Sequence, residues 1–178
     1  MQNCFQFKTQ SVYEHGQSVR SYYKDLIDHL QMATPLDKQW KLPDWIYDAR
    51  IPINLLPDDI LLQYQVYHDC GKPYCRTVDE LGKHHFPNHA QVSGDVWRRI
   101  GGDEQVARLI EMDMHVHLLK PDDMAAFSRN KEAVSLLLTG LSELHSNCQM
   151  FGGIESVSFK IKWKQINKNG KRLLENFS

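Results

Sequence analysis

The chain has 178 residues, which suffices for one compact domain with a full hydrophobic core and is short for two. Lysine and arginine number 21 against 22 aspartates and glutamates, so the formal charge of −1 gives no sign of general affinity for nucleic acid or anionic membranes. No apolar run approaches the roughly 18 residues of a membrane span, and the N-terminus lacks the basic and apolar segments of a secretory signal. We therefore expect a soluble, cytoplasmic, single-domain protein with no membrane partner.

Helical periodicity dominates the first part of the chain. A first helix is predicted over residues 11–32, with His15 on its apolar face. The proline-rich but aromatic stretch 34–57 indicates an ordered, packed connection. A second helix is predicted to begin at Pro57, with two aspartates in its first turn, and to carry His68 on its apolar face before a Gly-Lys-Pro break.

Two more helices are predicted in the middle of the chain. After a polar segment with a glycine turn, Pro87 can open a third helix that runs to about Ile100 and ends at two glycines. Asp103 can cap a fourth helix, in which Asp113 and His117 share the apolar face. This pattern places a carboxylate in the middle of an apolar stripe.

The C-terminal part is also predicted to be helical. A short helix is expected over 122–128 and a strongly apolar one over 130–148. Helix is favoured over 154–177, although the alternation in SVSFKIKWKQI leaves a strand open. The sequence thus predicts an all-α, single-domain bundle with a core over about 12–120 and a C-terminal helical extension over about 121–178.

Three predicted helices each carry a titratable residue on the inward face: His15, His68 and Asp113. A buried carboxylate is normally paired, neutralised or bound to a cation, because burying it unpaired is costly. Taken singly, each residue has an ordinary explanation as a hydrogen-bonded core residue. Their combination with Asp69 points to a metal site, because Asp69 follows His68 at a helix end, where adjacent side chains can reach one ion.

These residues carry a resemblance to a known family. His15, the pair His68-Asp69, and Asp113 match in order and spacing the H…HD…D pattern of the HD-domain metal-dependent phosphohydrolases, an all-helical superfamily. The stretch HDCGKPYCRTVDELGKHHFPNHAQVSG is similar to the HD domain of bacterial CCA-adding tRNA nucleotidyltransferases, which reads roughly HD-x-GKP, R-T-x-D-E-x-G and HF-x-x-H. Those enzymes begin with a nucleotidyltransferase head, for which we expect no room here. The resemblance is therefore to a stand-alone HD domain.

The resemblance implies a metal-dependent hydrolase that cleaves a phosphate ester of a nucleotide or of a nucleic-acid terminus. The first metal site would be formed by four residues: His15, His68, Asp69 and Asp113. His85 and His89 are the candidate ligands of a second ion, with Asp69 as the bridge, although Pro87 argues against one continuous helix for both histidines. Such ligands suit Mn, Fe, Ni, Co, Mg or Zn, and metal-bound hydroxide would attack phosphorus.

Four further residues are candidates for contact with the substrate. Lys72 beside the metal pair and Arg76 just downstream are placed to neutralise phosphate charge, which the transition state of such a reaction needs. His115 or His117 would contact phosphate or act as the acid for the leaving oxygen. Ordinary roles as solvated or structural side chains stay open for all four.

Two rival hypotheses stay open. The first is an HD-type nuclease or cyclic-nucleotide phosphodiesterase, similar to the HD nuclease domains of CRISPR helicases. That activity would call for a basic groove, whereas the basic clusters at 98–99, 160–164 and 168–172 read more simply as solvated faces. The second is a non-catalytic HD-fold module that binds nucleotides and regulates, whose signature would be a lost metal ligand. All four ligand positions are filled here.

Overall fold

The computed structural model describes residues 1–7 and 10–177. Helices make up most of the described chain: α1 Val12–Met32, α2 Arg50–Ile53, α3 Asp58–Tyr67, α4 Lys72–Cys75, α5 His89–Arg99, α6 Glu104–Met112, α7 His115–Leu118, α8 Met124–Phe127, α9 Ala133–Ser146 and α10 Val157–Glu175. Short 3₁₀ turns lie at Asp44–Tyr47, Pro121–Asp123 and Cys148–Phe151. The prediction of an all-α protein is confirmed.

The strands form two small antiparallel pairs. One pair joins β1, Phe5–Phe7, to β2, Gln10–Ser11. The other joins β3, Thr77–Val78, to β4, His84–His85, where a polar loop is predicted. Gly82 has φ +75°, a backbone conformation that suits the turn of this second pair and that residues with a Cβ rarely adopt.

Local capping explains where several helices begin. At the start of α1, Ser11 Oγ accepts a hydrogen bond from the Glu14 N–H at 3.2 Å, and Glu14 Oε2 accepts one from the Ser11 N–H at 2.7 Å. This reciprocal pair is a capping box. The Asp103 carboxylate accepts hydrogen bonds from two backbone N–H groups in the first turn of α6, which confirms the predicted cap.

The prediction that Asp113 and His117 share one helix is wrong. Helix α6 ends at Met112, and His117 lies in the separate helix α7. Asp113 donates its N–H to the Ile110 carbonyl at 3.2 Å, a contact of the tightened last turn. Val116 of α7 is buried, as are the apolar residues of α6. The apolar spacing in the sequence therefore continues past Met112 and does not indicate that α6 ends there.

The described chain divides into two compact units. The first unit comprises Met1–Arg20 and Asp58–Met114, and the second unit comprises Ser21–Pro57 and His115–Ser178. In the first unit α6 packs against α3 and α5, around a core that includes Val19, Leu61 and Leu109. The prediction of a single domain stays a prediction.

In the second unit, α9 packs against α10, and almost the whole of α9 is buried. The tail is helical over Val157–Glu175, so the strand alternative is wrong. The Asn169 side chain donates a hydrogen bond to the Val116 carbonyl at 2.9 Å and so ties α10 to α7. Within the described residues, every helix is too short or too polar to cross a membrane.

Candidate metal centre

The carboxylate of Asp69 lies at the centre of a cluster of histidine side chains. Asp69 lies two residues after the end of α3 and is buried, as are His15 and His68. The Nε2 atom of His68 lies 3.3 Å from Asp69 Oδ2, and that of His15 lies 3.8 Å from the same oxygen. The Nε2 atom of His89 lies 3.7 Å from Asp69 Oδ1. All three imidazoles therefore present the same ring atom to one carboxylate.

Close backbone contacts bring these side chains together. Gly16 follows His15 in α1, and a Cβ at Gly16 would lie 2.2 Å from the Val66 carbonyl oxygen of α3. The two helices can approach this closely only because residue 16 has no side chain. Val66 in turn lies two residues before His68. The crossing therefore positions the two buried histidines next to each other, with ring centroids 5.2 Å apart.

A second close approach joins the loop after α3 to helix α5. A Cβ at Gly71 would lie 2.4 Å from the Ser93 backbone nitrogen. The Gly71 N–H donates a hydrogen bond to Ser93 Oγ at 2.8 Å. This contact holds the segment that carries Asp69 against α5, whose first residue is His89.

Hydrogen bonds to backbone carbonyls orient two of the imidazoles. Nδ1 of His68 lies 2.9 Å from the Gln65 carbonyl oxygen, and Nδ1 of His89 lies 3.1 Å from the carbonyl oxygen of Phe86. A carbonyl oxygen only accepts, so each Nδ1 must donate the proton. In a neutral ring the lone pair then belongs to Nε2, the atom that faces Asp69. Histidine ligands of metals are oriented in this way.

Lys72 supplies the nearest positive charge to Asp69. Its ammonium lies 2.5 Å from Asp69 Oδ2 and donates a hydrogen bond to Gln6 Oε1 at 2.6 Å. Burial by itself raises the pKa of Asp69, but Lys72 and the neighbouring histidines outweigh this effect and hold the pKa well below its usual range. Asp69 is therefore a carboxylate at neutral pH. Its Oδ1 accepts no hydrogen bond from any residue that the structure describes.

Asp113 is connected to this cluster through Tyr64. The buried carboxylate of Asp113 follows the end of α6 and accepts a hydrogen bond from the Tyr64 hydroxyl at 2.6 Å. The Tyr64 ring packs edge-on against the His68 ring, with centroids 6.4 Å apart. This role of Tyr64 is not among the predictions from the sequence. The spacing of four residues between Tyr64 and His68 is the signal that indicates it, because such a spacing brings two side chains to the same side of a helix and its final turn.

The two candidate ligands of a second ion lie in different environments. His89 faces Asp69, whereas His85 is exposed in β4 with Nε2 2.7 Å from Asp79 Oδ2. The hydrogen bond from His85 is the main cause that lowers the pKa of Asp79. Arg76, a predicted phosphate contact, is exposed at the end of α4. Only His89 of the two histidines is therefore brought to the Asp69 carboxylate in the described structure.

His115 and His117 belong to the second unit. His115 is exposed in α7. His117 is half-buried, with Nε2 3.4 Å from Glu143 Oε2 of α9. Both histidines therefore lie among residues of the second unit.

The donor set around Asp69 fits a divalent cation. Ligand atoms bound to one ion at about 2.0–2.2 Å lie roughly 3–4 Å from each other. The separations between the histidine Nε2 atoms and the Asp69 oxygens, 3.3 to 3.8 Å, are of this size. In the described residues His15, His68 and Asp69 form a buried group whose ligand atoms lie within 4.8 Å of one another. Imidazole together with carboxylate suits Mn, Fe, Co, Ni or Zn, so this cluster can bind a metal.

Comparisons of the chain with protein-family models, curated proteins and solved structures found no match. Only the geometry and chemistry of the site therefore indicate a function.

Proposed function

We propose that this protein is a metal-dependent phosphohydrolase of the HD type, which cleaves a phosphate ester of a nucleotide or of a nucleic-acid terminus. One observation carries the proposal: three imidazole Nε2 atoms surround the buried, ionised carboxylate of Asp69. A buried carboxylate with three imidazole nitrogen atoms around it offers a divalent cation the oxygen and nitrogen ligands that such an ion binds.

In this proposal His15, His68 and Asp69 hold the ion, and Asp113 contributes from the end of α6. The Tyr64 hydroxyl, which donates a hydrogen bond to one oxygen of Asp113, would help to hold this carboxylate in position. A bound divalent ion supplies a Lewis acid for the phosphoryl group and lowers the pKa of water. The carbonyl of Gln65 holds His68 in the tautomer that presents its Nε2 lone pair.

Lys72 would neutralise charge on the phosphoryl group during the reaction. Its ammonium is held beside Asp69 by Gln6 and lies 5.3 Å from the centroid of the Phe86 ring. A fixed cation in a partly desolvated site stabilises a transition state that spreads negative charge over phosphoryl oxygens. Arg76 is proposed as a second, exposed phosphate contact. An acid role for His117 and a phosphate contact for His115 stay predictions.

Metal binding and hydrolysis by the same purified protein test the proposal. We would strip the protein, reload it with Mn²⁺, Ni²⁺, Co²⁺ or Mg²⁺, and measure hydrolysis of nucleotides, cyclic nucleotides, bis-p-nitrophenyl phosphate and short oligonucleotides. Asp69→Asn and His68→Gln should lose hydrolysis and weaken metal binding at least about 10-fold, the scale on which metal sites respond to lost supporting groups. The matched control is His84→Gln, which changes an exposed histidine of β4.

Each outcome of this panel decides between the hypotheses. Hydrolysis of monophosphates or triphosphates supports a nucleotide phosphohydrolase. Metal binding without hydrolysis of any substrate would favour the regulatory module. A wild-type protein that binds no divalent metal would overturn the site.

The position of His89 favours one second candidate, an HD-type phosphodiesterase or nuclease. His89 faces the oxygen of Asp69 that lies away from Lys72, so Asp69 could bridge to a second ion. Two ions clamp both the attacking and the leaving oxygen, which suits diester cleavage. Two bound ions per chain in the wild type, one in His89→Gln, and loss of diester cleavage in that variant would establish this candidate.

A further inference from the structure

A cleft of about 310 Å³ opens on the first unit beside helices α4 and α5. Six residues line it: Tyr74, Val92, Asp95, Val96, Arg99 and Ile100. Two of them leave large apolar surfaces open to solvent, since Tyr74 is 75% and Ile100 70% exposed. The lining combines apolar side chains with two charged ones, and the volume lies at the lower end of the range for small-ligand sites.

The same two helices reach the candidate metal centre, because Lys72 of α4 and His89 of α5 both lie close to the Asp69 carboxylate. Helix α5 begins with His89, and Val92 and Val96 follow three and seven residues later, so the three side chains share one helix face. At about 1.5 Å per residue, the valines lie roughly 5 to 10 Å along α5 from His89. Helix α4 begins with Lys72, two residues before Tyr74. The cleft therefore lies along the face of α5 that begins at His89, at a distance that a sugar bridges between a phosphate and a base.

The chemistry of the cleft matches a planar, polar-edged ring. An exposed tyrosine ring provides a stacking surface for a nucleobase, and the valines and Ile100 provide apolar contact. Asp95 and Arg99 are both exposed and bring opposite charges to the same cleft. A carboxylate accepts hydrogen bonds from ring and amino N–H groups, and a guanidinium donates to carbonyl and ring nitrogen acceptors.

We propose, on the basis of the proposed function, that this cleft binds the purine base of the nucleotide whose phosphate lies at Asp69. Tyr74 stacks on the base, which rests on Val92 and Val96. Asp95 and Arg99 contact the polar edges. Guanine fits best, because it presents two N–H donors on one edge for Asp95 and two acceptors on another for Arg99.

Nucleosides, which lack the phosphate, test the cleft without the metal centre. Guanosine, adenosine, cytidine and uridine would be titrated into the metal-free protein and binding measured by calorimetry and amide chemical shifts. We expect guanosine to bind most tightly. Tyr74→Ala should weaken its affinity about 5- to 100-fold, the range for a lost stacking contact, while Tyr74→Phe should retain it. Asp95→Asn should weaken guanosine more than adenosine.

The matched control is Tyr47→Ala, which removes a tyrosine of similar exposure, 63%, outside the cleft and should leave guanosine affinity unchanged. Because Tyr74 is largely exposed, its variants should fold, which circular dichroism verifies. With nucleotide substrates, Tyr74→Ala should raise KM far more than it lowers kcat, a split that a merely structural role would not produce.

These experiments distinguish an error in the cleft assignment from an error in the proposed function. If no nucleoside binds, or if Tyr74→Ala binds guanosine as the wild type does, the cleft assignment is overturned. Hydrolysis of bis-p-nitrophenyl phosphate, which has no base, would then still support the phosphohydrolase. If guanosine binding depends on Tyr74 but no ester is cleaved, the cleft is supported and the proposed function fails.

Discussion

At the scale of single residues, the Asp69 carboxylate is the group around which the candidate ligands of the first unit lie. Its carboxylate is buried, yet it stays ionised because an ammonium and several imidazoles surround it. The histidine and aspartate pattern in the sequence predicts these groups as neighbours. The sequence also predicts Lys72 near the site, but as a phosphate contact. In the structure the Lys72 ammonium pairs with Asp69 itself, because a buried carboxylate attracts the nearest cation.

Lys72→Met separates the structural and catalytic roles of this ammonium. We expect the free energy of unfolding of the metal-free protein to fall by about 3 kcal/mol, because Asp69 stays buried and loses its nearest cation. Affinity for Mn²⁺ should rise, because the ion no longer meets a positive charge beside Oδ2. Hydrolysis should fall. Urea unfolding, calorimetry and rate measurements check the three effects.

Lys83→Met is the matched control for this variant, because Lys83 is exposed and lies outside the Asp69 cluster. It should change neither stability nor metal affinity. Weaker Mn²⁺ binding by Lys72→Met would contradict the view that the ammonium and the ion compete for one carboxylate.

His145 is a buried histidine of the second unit with a purely structural environment. Its Nδ1 donates to the Leu141 carbonyl at 2.8 Å, and its Nε2 accepts from the Lys41 N–H at 3.0 Å. Its ring lies between Trp40 and Phe159, with centroid distances of 4.4 and 5.2 Å. Burial lowers the pKa of His145 to about 4, because the charged ring would lose its hydration.

This pKa predicts a stability loss in mild acid. Between pH 6.5 and about 4 the unfolded chain binds a proton at His145 and the folded protein does not. The stabilisation by the neutral His145 ring is therefore fully present above pH 6.5. As the pH decreases, the free energy of unfolding falls, by roughly 3 kcal/mol at pH 4. Urea unfolding between pH 7 and 4 measures it. His145→Gln should be less stable at pH 7 and depend less on pH in this window, and an unchanged slope would contradict the assignment.

At the scale of secondary-structure elements, the crossing of α1 and α3 positions the candidate ligands. Apolar periodicity predicts both helices well, because it depends on local spacing alone. It does not predict how closely they approach. The distance between the two helices depends on Gly16. Because Gly16 has no Cβ, the α3 backbone at Val66 can contact the α1 backbone there.

Gly16→Ala should disturb the site through this crossing. The added Cβ would lie 2.2 Å from the Val66 carbonyl oxygen, and backbone atoms cannot move aside without separating the helices. We expect a loss of about 2 kcal/mol in the free energy of unfolding and at least about 10-fold weaker Mn²⁺ binding, because His15 moves with α1. Thermal unfolding and calorimetry measure both.

Gln17→Ala provides the control, because it places the same methyl group one residue further along α1 at an exposed position. This variant should keep wild-type metal affinity and be at least as stable, since alanine favours helix. Wild-type Mn²⁺ affinity in Gly16→Ala would show that the close crossing does not determine the position of His15.

At the scale of the whole molecule, the candidate ligands belong to one compact unit although they are distant in sequence. Helix α1 contributes its N-terminal half to the first unit, and residues 58–114 contribute the rest. The intervening segment belongs to the second unit. A ligand that binds the Asp69 cluster should therefore stabilise the first unit directly.

Mn²⁺ at about 100 times its dissociation constant should raise the free energy of unfolding by about 2.7 kcal/mol. Amide hydrogen exchange should slow first at the end of α3 and in the Gly71 loop, because the ion would tie Asp69 to His15 of α1. Asp69→Asn should show neither effect. Bound Mn²⁺ with unchanged exchange at these amides would contradict the assigned ligands.

The sequence by itself determined the all-α class, the bounds of helices such as α1, α3 and α9 to within a few residues, and the inward positions of His15 and His68. These features follow from caps and apolar spacing, which act between neighbours along the chain. Only the tertiary structure decided that the Tyr64 hydroxyl donates a hydrogen bond to Asp113 and that α6 ends before His117. Such contacts depend on where packed helices cross and where each backbone turns, and local spacing carries no information on either.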